Sequence, residues 1–184
     1  MLANKPFELP TIEESTLIFE ESLIKIQRDT LKLKDSPPYR YYSLLTPPYA
    51  VVILALTHNG TYVLNEEYRH PTKRILLSCP GGFLNDEKED PIEAAKRELE
   101  EETGFHAETF TLIGSAYPYA GISRQKTFYV KATGAVLTTS PSLEPSEIIR
   151  TRLITPQQLN QTMAEVELDG TLCTALFFNA RHHS

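Results

Sequence analysis

"DPIEAAKRELEEETGF", residues Asp90 to Phe105, sets five glutamates and one aspartate against two cations, Lys96 and Arg97. Its ends read as the ends of a helix. Asp90 suits the N-cap, Pro91 the first helical position, and Glu93 stands where it would complete a capping box. Gly104 stands where a helix closes in a left-handed residue. Between these limits Ile92, Ala95 and Leu99 recur at helical spacing, an apolar face turned to a core. Glu98, Glu101 and Glu102 fall on an adjoining face by the same geometry. Each such like-charge pair costs roughly 0.2–0.5 kcal/mol on an exposed helix. The cluster is therefore either a solvated acidic face or a set of carboxylates gathered for a hard divalent cation, which reverses the sign of the repulsion.

The charge of the whole chain sits in and just before this helix. Between Asp86 and Glu102 there are nine acids and three bases, an excess of six that equals the entire net charge of −6. The remainder is balanced and offers no basic stripe, so nucleic acid is not an expected partner. The 184 residues fit one domain, or a domain with a small appendage, and 41% hydrophobic content is that of a globular chain. No apolar run approaches the ~18 residues of a membrane span. The opening "MLANKPFELPTIEES" has acids and prolines where a signal peptide has basic and apolar regions. Two cysteines, Cys79 and Cys173, make no disulfide framework, and the expected setting is the cytoplasm. His58, His70, His106, His182 and His183 show no zinc-ligand spacing with them.

On either side of the acidic helix the sequence alternates between strand and turn signals. "TLIFEESLIKIQRDTLKL" reads as two strands with a turn between, "DSPP" breaks the chain, and "YRYYSLL" reads as a third strand. An apolar run from Ala50 to Leu56 meets Asn59-Gly60 and a second run, Tyr62 to Glu67, which together predict a hairpin. "SCPGGFLNDEKE" is expected to be a loop. "TLIGSAYPYAG" and "QKTFYVKATGA" read as strands around a Pro/Gly loop, "LTTSPSLEPSE" as a loop and "IIRTRLI" as a last strand. Thr155 and Pro156 open a helix through Glu165, and Thr171 to Ala180 reads as a final buried helix. Strands covered by helices predict an α+β domain.

The order Gly82, Glu89, Arg97-Glu98-Leu99, Glu101-Glu102, Gly104-Phe105 resembles the Nudix box, G-x5-E-x7-R-E-U-x-E-E-x-G-U, with U aliphatic or aromatic. From Glu89 onward every fixed position is met; between Gly82 and Glu89 there are six residues rather than five. The resemblance implies an α/β/α sandwich, a mixed sheet between helices, occupying residues 47–184. The antiparallel strand extension of residues 1–46 would serve dimerisation. It implies a Mg²⁺- or Mn²⁺-dependent hydrolase that cuts a diphosphate linked to another moiety. Glu98 and Glu102 would then be the main metal ligands, Glu101 a third, and the Gly81 carbonyl a further one. Arg97 would orient the glutamates, and Glu89 would close the junction of loop and helix. Glu93 and Glu100 are read as solvated.

The chain is also similar to the ADP-ribose pyrophosphatase group, in which a long hairpin ends in Tyr-Arg-x-Pro, here Tyr68, Arg69 and Pro71. That resemblance implies a nucleotide-sugar substrate, ADP-ribose first, and a homodimer. It implies substrate contacts at Arg69, Gly82, Tyr119 and Gly121. It also implies a loop carboxylate acting as general base or metal ligand; Glu147 fits this position, with Glu144 the alternative. Arg69 is otherwise a surface cation beside Glu66 and Glu67, and Tyr119, like Tyr117, is otherwise plain packing. Hydrolysis of another nucleoside diphosphate sugar, such as GDP-mannose, is the rival reading within enzymes. A catalytically idle nucleotide-binding module is the rival outside them.

Overall fold

Alternating side chains from Thr11 onward extend into β1 (Thr11–Glu21), which turns through Ser22, at a φ of 51°, into β2 (Ile24–Lys32). After the Pro37-Pro38 break follows β3 (Tyr39–Leu45), and the three strands form an antiparallel sheet in that order. The computed structural model describes residues 7–182; the first six residues of the N-terminal extension and His183 lie outside them. In this sheet Asp29 stands between Ser15 and Tyr41, and its carboxylate accepts from Ser15 Oγ at 2.5 Å and Gln27 Nε2 at 2.9 Å. The segment Tyr119–Gln125 belongs to the same compact unit, which otherwise ends at Pro48. It is tied in by Tyr41, whose hydroxyl donates to the Gly121 carbonyl at 2.6 Å, and by the Leu44 N–H, which donates to the Ile122 carbonyl at 2.7 Å.

The second unit contains β4 (Tyr49–Thr57), β5 (Tyr62–Arg69), β6 (Arg74–Ser78), β7 (Gly81–Phe83), α1 (Pro91–Thr103), β8 (Phe105–His106), β9 (Thr109–Ala116), β10 (Lys126–Leu137), β11 (Ile149–Ile154), α2 (Pro156–Glu165) and α3 (Gly170–His182). Its eight strands form a mixed sheet. β4 and β10 run parallel at its centre, and the other pairings are antiparallel. A continuous apolar run is what a strand buried on both faces requires. β4 meets that requirement: Val51, Ile53 and Ala55 turn to one face, Val52 and Leu54 to the other. The first face packs with Val63, Val130 and the α1 residues Ala94, Ala95 and Leu99. The second packs with Leu64, Tyr129, Leu159 of α2, and Leu172 and Ala175 of α3. Helices on both faces of a mixed sheet make the expected α/β/α sandwich.

Gly104 ends α1 as expected, at a φ of 74°, with its N–H on the Glu100 carbonyl. Three local expectations differ from the structure. The segment read as a loop from Ser78 to Glu89 contains β7, which pairs with Val51 and Val52 of β4, and it begins at the end of β6. Neighbouring strand edges supply hydrogen bonds that override the local turn signal. The capping box at the start of α1 is absent. Asp90 accepts from the Ile92 N–H at 2.8 Å, while Glu93 takes Lys96 at 2.6 Å within its own turn. A complete capping box opens α2 instead, between Thr155 and Gln158. The last helix is buried along one side only, at Leu172 and Ala175, with Phe177 exposed. Among the described residues no helix is long and apolar enough to cross a membrane.

Candidate active site

The inward face of β5 carries Val63, then Asn65, then Glu67, because side chains alternate along a strand. Val63 joins the hydrophobic core beneath α1. Asn65 is fully buried, and its Nδ2 donates to Glu102 Oε2 at 2.8 Å. The Gly81 N–H donates to the same oxygen at 3.1 Å, so β5 and β7 clamp one carboxylate of α1 between them. One turn earlier on α1, Glu98 is equally buried, and its Oε1 accepts from Arg97 Nη1 at 2.7 Å. Its carboxylate lies against the bare Cα of Gly82, where a Cβ would overlap it.

Arg97 holds this corner together. Besides Glu98 it donates to Glu101 at 3.1 Å and to the Phe83 carbonyl at 3.1 Å, and its Nε lies 3.6 Å from Glu89. Glu89 in turn accepts from the Asn85 N–H and side-chain amide. The loop before α1 is thus folded onto the arginine that holds two of its glutamates. Glu101 itself is exposed, 48% for its side chain, and shares the Arg97 guanidinium with Glu98. The three glutamates expected to converge divide into a buried pair, Glu98 and Glu102, and an outer member.

Burial in a site with few counter-charges raises the proton affinity of carboxylates. For Glu102 burial is the leading cause; the Gly81 N–H opposes it, Glu98, Glu67 and Glu147 add repulsion, and the pKa is pushed up to about 8. Glu98 is also raised, first by burial, against the favourable pull of Arg97, with Glu101 and Glu147 adding to the rise. Glu67 is raised by burial and by the charges of Asp169 and Glu147, against Arg69. Glu147 therefore lies within electrostatic reach of Glu67, Glu98 and Glu102. Its carboxylate accepts from the Glu144 N–H at 2.7 Å, which fixes the turn "EPSE".

The other expected contacts are disposed differently. Arg69 is paired with Glu67 at 2.5 Å and lies 3.7 Å from Asp169, so two carboxylates hold its guanidinium. Asp169 also caps α3 through the Thr171 N–H and hydroxyl. Tyr119 and Gly121 belong to the other unit, where the Tyr119 carbonyl accepts from Ile122 and Ser123. His70 lies beside Tyr68, its Nδ1 3.4 Å from the hydroxyl. Cys79 is a packed thiol in the core, its pKa raised by burial. Asn65, Glu67 and Asp169 were missed from sequence. The signal for the first two was there: polar residues at alternate, inward positions of a strand whose neighbour Val63 is core.

Among the described residues no three His, Cys, Asp or Glu side chains stand in a ready-made metal-coordinating set. The donor chemistry nonetheless fits a hard divalent cation. Carboxylate oxygens are its preferred ligands, and buried carboxylates that repel one another are stabilised in their charged form by it.

The model of the Nudix domain family matches residues 46–173. The chain is 36% identical over 105 residues to a methanol dehydrogenase activator of Bacillus methanolicus, covering 57% of this chain and 55% of that protein. It is 30% identical over 119 residues to an ADP-ribose pyrophosphatase of Bacillus subtilis (strain 168), covering 62% and 63% respectively. The chain thus spans less than two thirds of the length of either curated relative. In three dimensions it superposes on the crystal structure of an ADP compounds hydrolase with a TM-score of 0.84, over 97% of this chain and 96% of the other, at 21% identity.

Proposed function

The chain belongs to the Nudix domain family, and from that premise we propose that it hydrolyses the diphosphate of a nucleoside diphosphate sugar. ADP-ribose, cut to AMP and ribose 5-phosphate, is the favoured substrate. One observation carries the reading: Glu98 and Glu102 lie buried together on one helix face with the charges of Glu67 and Glu147 nearby. Such a site repels an anionic diphosphate unless cations stand between them. The Bacillus subtilis relative named an ADP-ribose pyrophosphatase supports the choice of substrate.

Glu98, Glu102 and Glu101 would hold Mg²⁺ or Mn²⁺, with the Gly81 carbonyl and Glu147 as further ligands. When bound, the metal neutralises phosphate charge and lowers the pKa of an attacking water. The rest is done by the chain. Arg97 keeps Glu98 and Glu101 at fixed separation, and Gly82 leaves room for the Glu98 carboxylate and for the approach of substrate. Glu147 takes the proton of the attacking water on its carboxylate. Water oxygen bonds to one phosphorus, the bridging oxygen leaves on the other, and two phosphomonoesters result. Arg69 meets a phosphate when that anion displaces one of its two carboxylate partners. The N-terminal sheet, with Leu17, Ile18 and Phe19 all exposed, is proposed as the surface of a homodimer. Two free thiols accord with a cytoplasmic setting.

The test is a panel of nucleoside diphosphate sugars incubated with Mg²⁺, with release of phosphomonoester measured for the wild type and Glu102→Gln. ADP-ribose turnover that needs metal and is lost in the variant supports the reading. Metal-dependent turnover of GDP-mannose alone replaces the substrate but keeps the chemistry. For the dimer, sedimentation should give a particle of twice the 20.8 kDa chain mass; a 20.8 kDa particle at micromolar concentration opposes it.

A further inference from the structure

On the inward face of β5, Asn65 stands between Val63 of the hydrophobic core and Glu67 of the acidic cluster. Val63 precedes it on the same face of β5, fully buried. An aliphatic residue at position 65 would continue that core. The asparagine present is fully buried, and its Oδ1 has no hydrogen-bond partner. Thr151, its register partner on β11, likewise holds a buried hydroxyl with no partner. A residue kept only for packing gains nothing from a buried amide satisfied at one end.

The satisfied end is the informative one. Asn65 Nδ2 and the Gly81 N–H both donate to Oε2 of Glu102, and neither serves Oε1. Two donors on one oxygen fix the plane and the rotation of the carboxylate. We propose that Asn65 is a positioning residue: together with the Gly81 N–H it ties down Oε2 of Glu102, so that Oε1 is the oxygen presented to a bound divalent cation. This rests on the hydrolase reading for its consequence in catalysis, but not for its consequence in cation binding. Partners that orient a metal-binding carboxylate are worth roughly 10–100-fold in affinity or activity.

The test uses Asn65→Leu, Glu102→Gln and the double variant, with three readouts. These are Mn²⁺ binding to the metal-stripped protein followed by electron paramagnetic resonance, kcat and KM for ADP-ribose, and thermal unfolding in chelator. Asn65→Leu is expected to weaken Mn²⁺ binding by about 10–100-fold. It should lower kcat by a similar factor with KM held within about threefold, and leave the melting temperature of the metal-free protein near that of the wild type. In the Glu102→Gln background the same substitution should change Mn²⁺ binding no further, because its effect passes through Glu102. Equal losses in both backgrounds, or wild-type binding and turnover in Asn65→Leu, overturn the proposal. Should Asn65→Leu fail to fold, Asn65→Ala takes its place, and collapse of both marks a structural residue and overturns it. If the wild type turns over no nucleotide sugar, the functional reading fails while the Mn²⁺ comparison still decides the role of Asn65.

Discussion

The Glu98 carboxylate rests against the Cα of Gly82, in space that any side chain at position 82 would occupy. Gly82 has no backbone requirement for glycine, since its φ is not in the left-handed region. What it supplies is room, and the atom that needs the room is a carboxylate on the helix opposite.

Gly82→Ala is therefore expected to move Glu98 rather than the backbone, because the overlapping atoms are the end of a flexible side chain. Displacement of a site group by about 1 Å can cost about 100-fold in rate. Turnover of ADP-ribose should fall by at least tenfold, while the melting temperature of the metal-free protein changes by no more than a few degrees. A variant with wild-type kcat contradicts the assignment of Glu98.

Gly104 is the opposite case. Its φ of 74° disfavours a Cβ, and a Cβ would also overlap the Thr139 carbonyl, which is backbone and does not swing aside. Gly104→Ala should destabilise by about 1–2 kcal/mol from the left-handed conformation alone, measured by urea unfolding. Gly104→Asn relieves part of the conformational cost but not the overlap, so its rescue should be partial. Full rescue by asparagine would show that the Thr139 contact yields.

The pH dependence of the metal-free protein follows from Glu102, whose pKa rises from an ordinary 4.5 when unfolded to about 8 when folded. Between those values the folded state binds more protons than the unfolded one, so this group makes stability fall as pH rises through the window and level off above it. Glu102→Gln keeps an oxygen for Asn65 and Gly81 and removes the charge. In chelator its unfolding free energy should decline less between pH 5 and pH 8.5 than that of the wild type. An identical decline would remove Glu102 as the cause.

The two thiols should differ sharply in reactivity. Cys79 is buried in the core with its pKa raised by that burial, whereas Cys173 is exposed on α3. A thiol reagent at pH 8 should label Cys173 promptly in the native protein and Cys79 only on unfolding. Prompt labelling of both would show that the strand end before Gly81 opens readily.

The acidic helix was legible because its limits and faces are local: Asp90, Pro91, Leu99 and Gly104 do in the structure nearly what their types and spacing imply. The hairpin across Asn59-Gly60 was legible for the same reason. Of the candidate site, only the helical side was legible. Asn65 and Glu67 enter it through strand pairing, and Glu102 meets Asn65 across 37 residues of sequence, a separation no local pattern reveals. The β7 strand escaped for a related reason, since Gly81 to Phe83 are strand only by virtue of β4 beside them. The expected capping box is not formed, and Glu93 pairs with Lys96. The division of the glutamates into two buried and one exposed depends on where β5 and β7 meet α1, which the helix sequence alone does not contain.

The most direct test of the central claim is product release from ADP-ribose by the metal-stripped protein before and after addition of Mg²⁺. The wild type should release AMP and ribose 5-phosphate in equal amounts only once Mg²⁺ is present, with Glu98→Gln and Glu102→Gln each slower by at least about 100-fold. Release of neither product from ADP-ribose or any other nucleoside diphosphate sugar, with Mg²⁺ and Mn²⁺ both tried, would contradict the claim that this acidic helix is a hydrolytic site.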